Sequence, residues 1–394
     1  MRRLLLSAIA LLIGSLAYLA VGKVGAPIPA VFSTASAQSS ACSLPASLSP
    51  TMEETAWRLF VAANCPSGNQ LVWETWIEQL QLYPASGAAA VAAAAPKRLH
   101  GSPLARVASA REQIIRPNSL GLTPTSQCNP MNAPPPNVIQ NPKPIICEEV
   151  HLNSDAAGFV TSNTYQIRSG QQAAAQKGTN IQFPWSAVEV KVDWIPASDF
   201  QNPFTCTNPP DGVHVEMIDG VCYAMAGMHI SSKLLENWLW ATFEPQSMLT
   251  NPLRCITFGN CVDPWGSNPA VSSGGSAGFT QATPALRTLM TQANLAKEFL
   301  NYRLDGVQIV FTKNRQPTFL GNSVIEGENV GMKYNTASCI TCHSVSSVKN
   351  DGTDGIQNLA DQVGPQYRVP PGWIARDFVW SMALACPNGI QACQ

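Results

Sequence analysis

The chain has 394 residues, 45% of them apolar and only 12% charged, with a formal net charge of −1. That length and apolar share suffice for a sizeable core, and the balanced charge excludes the basic stripe of a nucleic-acid binder. The charged share is about half the usual ~25%, and the 31 prolines point to long irregular connections.

Arg2 and Arg3 precede an apolar run from Leu4 to Gly22, and Ala35-Ser36-Ala37 offers a small-x-small cleavage site before Gln38. Residues 1–37 therefore read as an export signal. The alternative is an uncleaved anchor at the periplasmic face of the inner membrane, because the run reaches the lower limit for a span, ~17 residues. On either reading the bulk of the chain is expected in the periplasm. Twelve cysteines are present. Two belong to a Cys-x-x-Cys-His motif, and the other ten are expected as disulfides, since an exported chain meets an oxidising compartment. Neighbour pairing would give five small loops.

Thr51-x-x-Glu54 is a capping box opening an apolar helical pattern through Met52, Ala56, Leu59, Phe60 and Ala63. An aromatic cluster follows at Trp73-Glu74-Thr75-Trp76. Residues 85–96 are almost all Ala and Gly, and residues 129–144 form an Asn- and Pro-rich loop tethered by Cys128 and Cys147. Alternation at Val188, Val190 and Val192 predicts a strand. Residues 221–230 and Trp238 to Phe243 predict two more. Thr283 and Pro284 open a helix with a stripe at Leu286, Leu289, Met290, Ala293, Ala296 and Leu300. A strand is predicted from Val307 to Thr312. The fold class expected is α+β: a large, mainly antiparallel-sheet body over 38–328, then a short, mostly helical segment over 329–394. In that segment Asn335 is placed to cap a short helix, and Trp373 to Ala385 is read as a last one.

The chemistry lies in Cys339-Ile340-Thr341-Cys342-His343. On a helix the i, i+3, i+4 spacing puts all three side chains on one face. Two thiols can then add to the vinyl groups along one edge of a haem, and the imidazole meets the iron from the same side. Chance would supply about 0.005 copies of this attachment signature in such a chain. Half of a zinc site would need a second close Cys or His pair, and Cys386 and Cys393 are too widely spaced. A dithiol redox pair would need a surrounding βαβ unit.

The motif resembles the attachment site of bacterial exported c-type cytochromes. That resemblance implies thioether bonds at Cys339 and Cys342, His343 as the proximal iron ligand, and one covalent haem c. Only 51 residues follow His343, fewer than is usual in that family. Trp73-Glu74-Thr75-Trp76, Glu189-Val190-Lys191 and Trp240-Ala241-Thr242-Phe243-Glu244 are also similar to a group of functionally uncharacterised exported monohaem proteins.

The distal iron position decides between carrier and enzyme. Met382 follows the motif on the last predicted helix. His229 stands on a predicted strand beside Met225 and Gly227. An open site is the third option. His100, His151 and His214 are scattered and form no metal pair. Glu148-Glu149-Val150-His151 reads as solvated surface beside a disulfide. The tryptophan pairs Trp73/Trp76 and Trp238/Trp240 read as core, some of it shielding a haem edge. Lys333 and Lys349 flank the motif as a docking face for a redox partner protein. The leading reading is one-electron transfer; the alternatives are a haem-dependent oxidoreductase with a substrate site in the body, and a small-gas sensor.

Overall fold

The structure is a computed structural model. It describes residues 39–83, 128–131, 134, 137–139, 141–218, 220–246, 261–272, 278–328, 336–355 and 369–385. The predicted export signal, the Ala/Gly-rich insert, Met332, Lys333, Asn335, Cys255, Cys386 and Cys393 lie outside these residues. The described residues belong to one compact unit. Among the described residues, no helix is long and apolar enough to cross a membrane.

The fold is mixed, with helices and antiparallel sheets. The principal helices are α1 (Met52–Asn64), α2 (Ser154–Ser162), α3 (Arg168–Gln176), α4 (Pro284–Gln292) and α5 (Cys339–Ser344). The main sheet uses β1 (Ile77–Glu78), β2 (Cys128–Pro130), β3 (Ile145–Leu152), β4 (Val188–Pro196), β5 (Val215–Ile218), β6 (Val221–Ser232), β7 (Leu239–Pro245) and β8 (Tyr302–Gln308). Its order is β8-β7-β6-β4-β3-β1, with β2 beside β3 and β5 beside β6. Every pairing is antiparallel. A small sheet near the C-terminus places β9 (Ser347–Lys349) between β10 (Asp354–Gly355) and β11 (Trp373–Ala375).

Local chemistry sets the element ends. The Thr51 hydroxyl accepts from the Glu54 N–H at 3.1 Å, capping α1. The Glu54 carboxylate pairs with Arg58 at 2.7 Å rather than turning back to the cap. Thr283 caps α4, with Pro284 in its first turn. That helix stops at Gln292 because Asn294 turns left-handed, φ 51°, and the rest of the predicted stripe continues as a 3-10 turn, Lys297–Asn301. Trp238 is left-handed too, φ 60°, so its strand begins at Leu239. The strand predicted at Val307–Thr312 instead runs from Tyr302 to Gln308. Arg303 and Asp305 disguise it, but both are buried, the guanidinium between Glu244 and Asp305. Trp373 to Ala385 is not one helix but β11 followed by a 3-10 turn, Ser381–Leu384; Asp377 and Phe378, both left-handed, break it.

The sheet has two unlike faces. Val188, Val190 and Val192 of β4, Met228 and Ile230 of β6, and Ala241 and Phe243 of β7 meet Trp57, Phe60 and α4 in the main core. Phe60 lies 4.4 Å from Phe243 between ring centroids. The opposite face carries Glu189, Lys191, His229, Ser231, Trp240 and Thr242, because side chains alternate along each strand. Here α2, α3 and residues 337–355 and 369–385 close a second core, with Leu152, Trp240, Ile340, Val348 and Met382. The run Glu148-Glu149-Val150-His151, read from the sequence as solvated, is buried on the sheet: Glu149 is 0% and His151 2% exposed. His151 packs edge-on against Trp73, and its ring nitrogens meet the Trp76 carbonyl and Glu149.

Disulfides Cys42–Cys65 and Cys206–Cys222 join neighbouring cysteines, as expected. Cys147 and Cys261 are disulfide-bonded as well. The C-terminal segment is clamped by Asp354, which pairs with both Arg168 of α3 and Arg376. Arg376 is wholly buried, and its Nε also donates to Gln171 at 2.7 Å. Asp354→Ala leaves two guanidiniums without their counter-charge, and stability to urea should fall by about 3–5 kcal/mol. A loss within the range of surface substitutions, about 0.5 kcal/mol, would contradict the clamp.

Candidate functional site

The Cys-x-x-Cys-His motif forms α5, so Cys339, Cys342 and His343 share one helical face. Ser338, rather than Asn335, holds the N-cap position, and its hydroxyl bonds Thr341 Oγ1 at 2.9 Å. The free N–H of Ile340 donates to Oε1 of Gln308 on β8 at 2.9 Å, and Gln308 Nε2 donates to Ser338 Oγ. A single glutamine thus satisfies an orphan donor of the first turn and ties the helix to the sheet edge. Among the described side chains, Cys339 and Cys342 are the cysteines that form no disulfide. Burial, and Glu326 after it, pushes the Cys342 thiol up to about 12 and raises Cys339 well above the ordinary thiol range. Redox-active Cys-x-x-Cys pairs have thiols lowered instead.

His343 is held from three sides. Its Nδ1 lies 2.8 Å from the Phe378 carbonyl, which fixes the proton there and leaves Nε2 with its lone pair free. Its ring stands 4.5 Å from Trp240 of β7 and 6.2 Å from Trp380, between centroids. Trp380 in turn donates to the Cys342 carbonyl at 3.0 Å. Burial pulls the imidazole down to about 4, so it is neutral at physiological pH.

The carbonyl that orients His343 sits on strained backbone. Asp377 has φ 50° and Phe378 φ 69°, a conformation that costs about 1–2 kcal/mol per non-glycine residue. The Asp377 carboxylate stabilises it, accepting from Lys233 Nζ and from the Phe183 N–H, each at 2.7 Å. Lys233 is 1% exposed and follows β6 directly.

The face of the sheet opposite α5 is polar. Lys191 pairs with Glu148. His229 lies opposite Lys191 on one side and Thr242 on the other. Burial, then Lys191 and His343, holds its imidazole neutral. Asn322 donates to Thr242 Oγ1 at 3.0 Å and brings Glu326 over the same strands. Met382 is fully buried in the second core, and Gln171 donates to its carbonyl at 2.9 Å. Ser381 Oγ donates to Glu189 at 3.0 Å. Lys349 pairs with Asp351 at the surface. Among the described residues, no group of three or more His, Cys, Asp or Glu side chains converges as a metal-binding cluster.

The residues that sequence reasoning missed are those that position the motif: Gln308, Asp377, Lys233 and the Phe378 carbonyl. None has a local spacing signal, because each acts across a long sequence separation. Comparison with protein-family models, with curated proteins and with solved structures gives no match.

Glu189 gives the site a pH signature. Burial raises its carboxyl to about 7. The protonated form is thus favoured by folding: the contribution is complete below about pH 4.5 and is lost as pH rises through 7. Glu189→Gln should flatten that slope, worth up to about 3 kcal/mol, in paired denaturation curves from pH 4 to 8. Parallel pH profiles for the two proteins would contradict it.

Proposed function

We propose that this chain is an exported monohaem c-type cytochrome that transfers single electrons to and from a redox partner protein. The observation that carries the reading is the joint placement of Cys339, Cys342 and His343 on α5, with His343 Nδ1 already committed to a backbone carbonyl. The residues fit the group on their own chemistry. The other described cysteine side chains are disulfide-bonded, whereas the buried Cys339 and the half-buried Cys342 are outside any disulfide. They would hold a haem by thioether bonds, and His343 Nε2 would be its proximal ligand. A ligating histidine usually donates its second nitrogen to a carbonyl or carboxylate, as His343 does to Phe378. Bound there, the haem would supply an iron that cycles between two oxidation states.

The protein's part is to hold and shield. Trp240 and Trp380 flank the imidazole and exclude water from it. Lys191, Glu148 and Glu326 set the local charge. The disulfides fit the oxidising compartment that the export reading requires.

Protein produced with export and cytochrome c maturation should take up and release one electron per chain in a spectroelectrochemical titration. Cys342→Ala should lose one of the two covalent links, which intact mass and peptide mapping detect. A fully reduced and oxidised preparation with no optical change would sink the reading.

A further inference from the structure

We infer that His229 is the distal iron ligand, so that the haem site is closed by two histidines from opposite walls. The inference rests on the haem reading above.

Trp240, the residue on which His343 packs at 4.5 Å between ring centroids, pairs in register with Ser231 of β6. His229 is two residues from Ser231 on the same face, and it pairs with Thr242. His229 is therefore a diagonal cross-strand neighbour of Trp240, a relation that spans ~7–8 Å between backbones and lies within reach of long side chains. The strand β6 and the helix α5 thus each place an imidazole beside Trp240. His229 Nε2 is buried and has no hydrogen-bond partner among the described residues. Glu326 Oε1 lies 3.6 Å from it, beyond hydrogen-bond distance. A buried ring nitrogen without a partner is destabilising, and iron ligation would remove that cost.

The competing ligand has a sufficient structural role. Met382 is 0% exposed in an apolar cluster with Ile340 and Leu152. Its turn is pinned by Gln171 to its own carbonyl and by Arg168 to the carbonyls of Ala383 and Ala385. A closed two-histidine site also favours the carrier over an enzyme acting at the iron, because no open position remains for a substrate.

The test is spectroscopic. A pyridine haemochrome first establishes that haem c is attached; without it the underlying reading fails, not this one. Wild-type ferric protein should then give a low-spin EPR spectrum of the two-imidazole type, with no methionine-to-iron charge-transfer band, and its ferrous form should not bind carbon monoxide. His229→Ala should become high-spin and bind carbon monoxide, and added imidazole should restore the low-spin spectrum. Met382→Leu should leave the spectrum unchanged. A high-spin wild-type protein, a charge-transfer band abolished by Met382→Leu, or an unaltered His229→Ala spectrum would each overturn the inference. The wild-type spectrum decides the matter even if His229→Ala does not fold.

Discussion

Two sets of paired charges, with their cations buried, hold the C-terminal segment against the body. Asp354 neutralises Arg168 and Arg376, and Asp377 neutralises Lys233. Charges leave water only when paired, and a broken pair costs several kcal/mol. These contacts therefore locate the segment more strictly than apolar packing alone would. They also act at a distance on the motif. Asp377 holds the left-handed backbone at Phe378, and the Phe378 carbonyl orients His343. The geometry of the imidazole thus depends on Asp377 and Lys233, which act on it through the Phe378 carbonyl.

The second organising fact is the unlike chemistry of the two sheet faces. One face is Val, Ile, Met and Phe, and it packs on α1 and α4 as an ordinary core. The other offers Glu148, Glu189, Lys191, His229 and Thr242, and it is covered rather than solvated. A covered polar face is expensive unless its groups are used. Some are used by one another, as in the Lys191–Glu148 and Ser381–Glu189 contacts. Thr242 accepts from Asn322, and His229 stands between Lys191 and Thr242. On the proposed reading, the large body is the distal wall of the haem site and not a separate module attached to it.

Much of the framework was legible in the sequence. Thr51 and Thr283 marked helix starts, and the alternation at Val188–Val192 marked a strand, because caps and period-two patterns are local signals. The i, i+3, i+4 spacing of the motif was equally local. What was hidden was tertiary. Glu148, Glu149 and His151 looked like surface because burial of polar residues depends on partners distant in sequence. Arg303 and Asp305 concealed a strand for the same reason. The last predicted helix failed where Asp377 and Phe378 turn left-handed, a conformation imposed by the Lys233 pair and invisible to an apolar stripe.

The central claim is that one haem is covalently bound to Cys339 and Cys342. The most direct measurement is a pyridine haemochrome spectrum with iron quantitation on protein matured in an exporting host. The account predicts a c-type spectrum that survives acid–acetone extraction, with one iron per chain. Protein that is folded and exported through the same maturation route yet carries no extraction-resistant haem would contradict it.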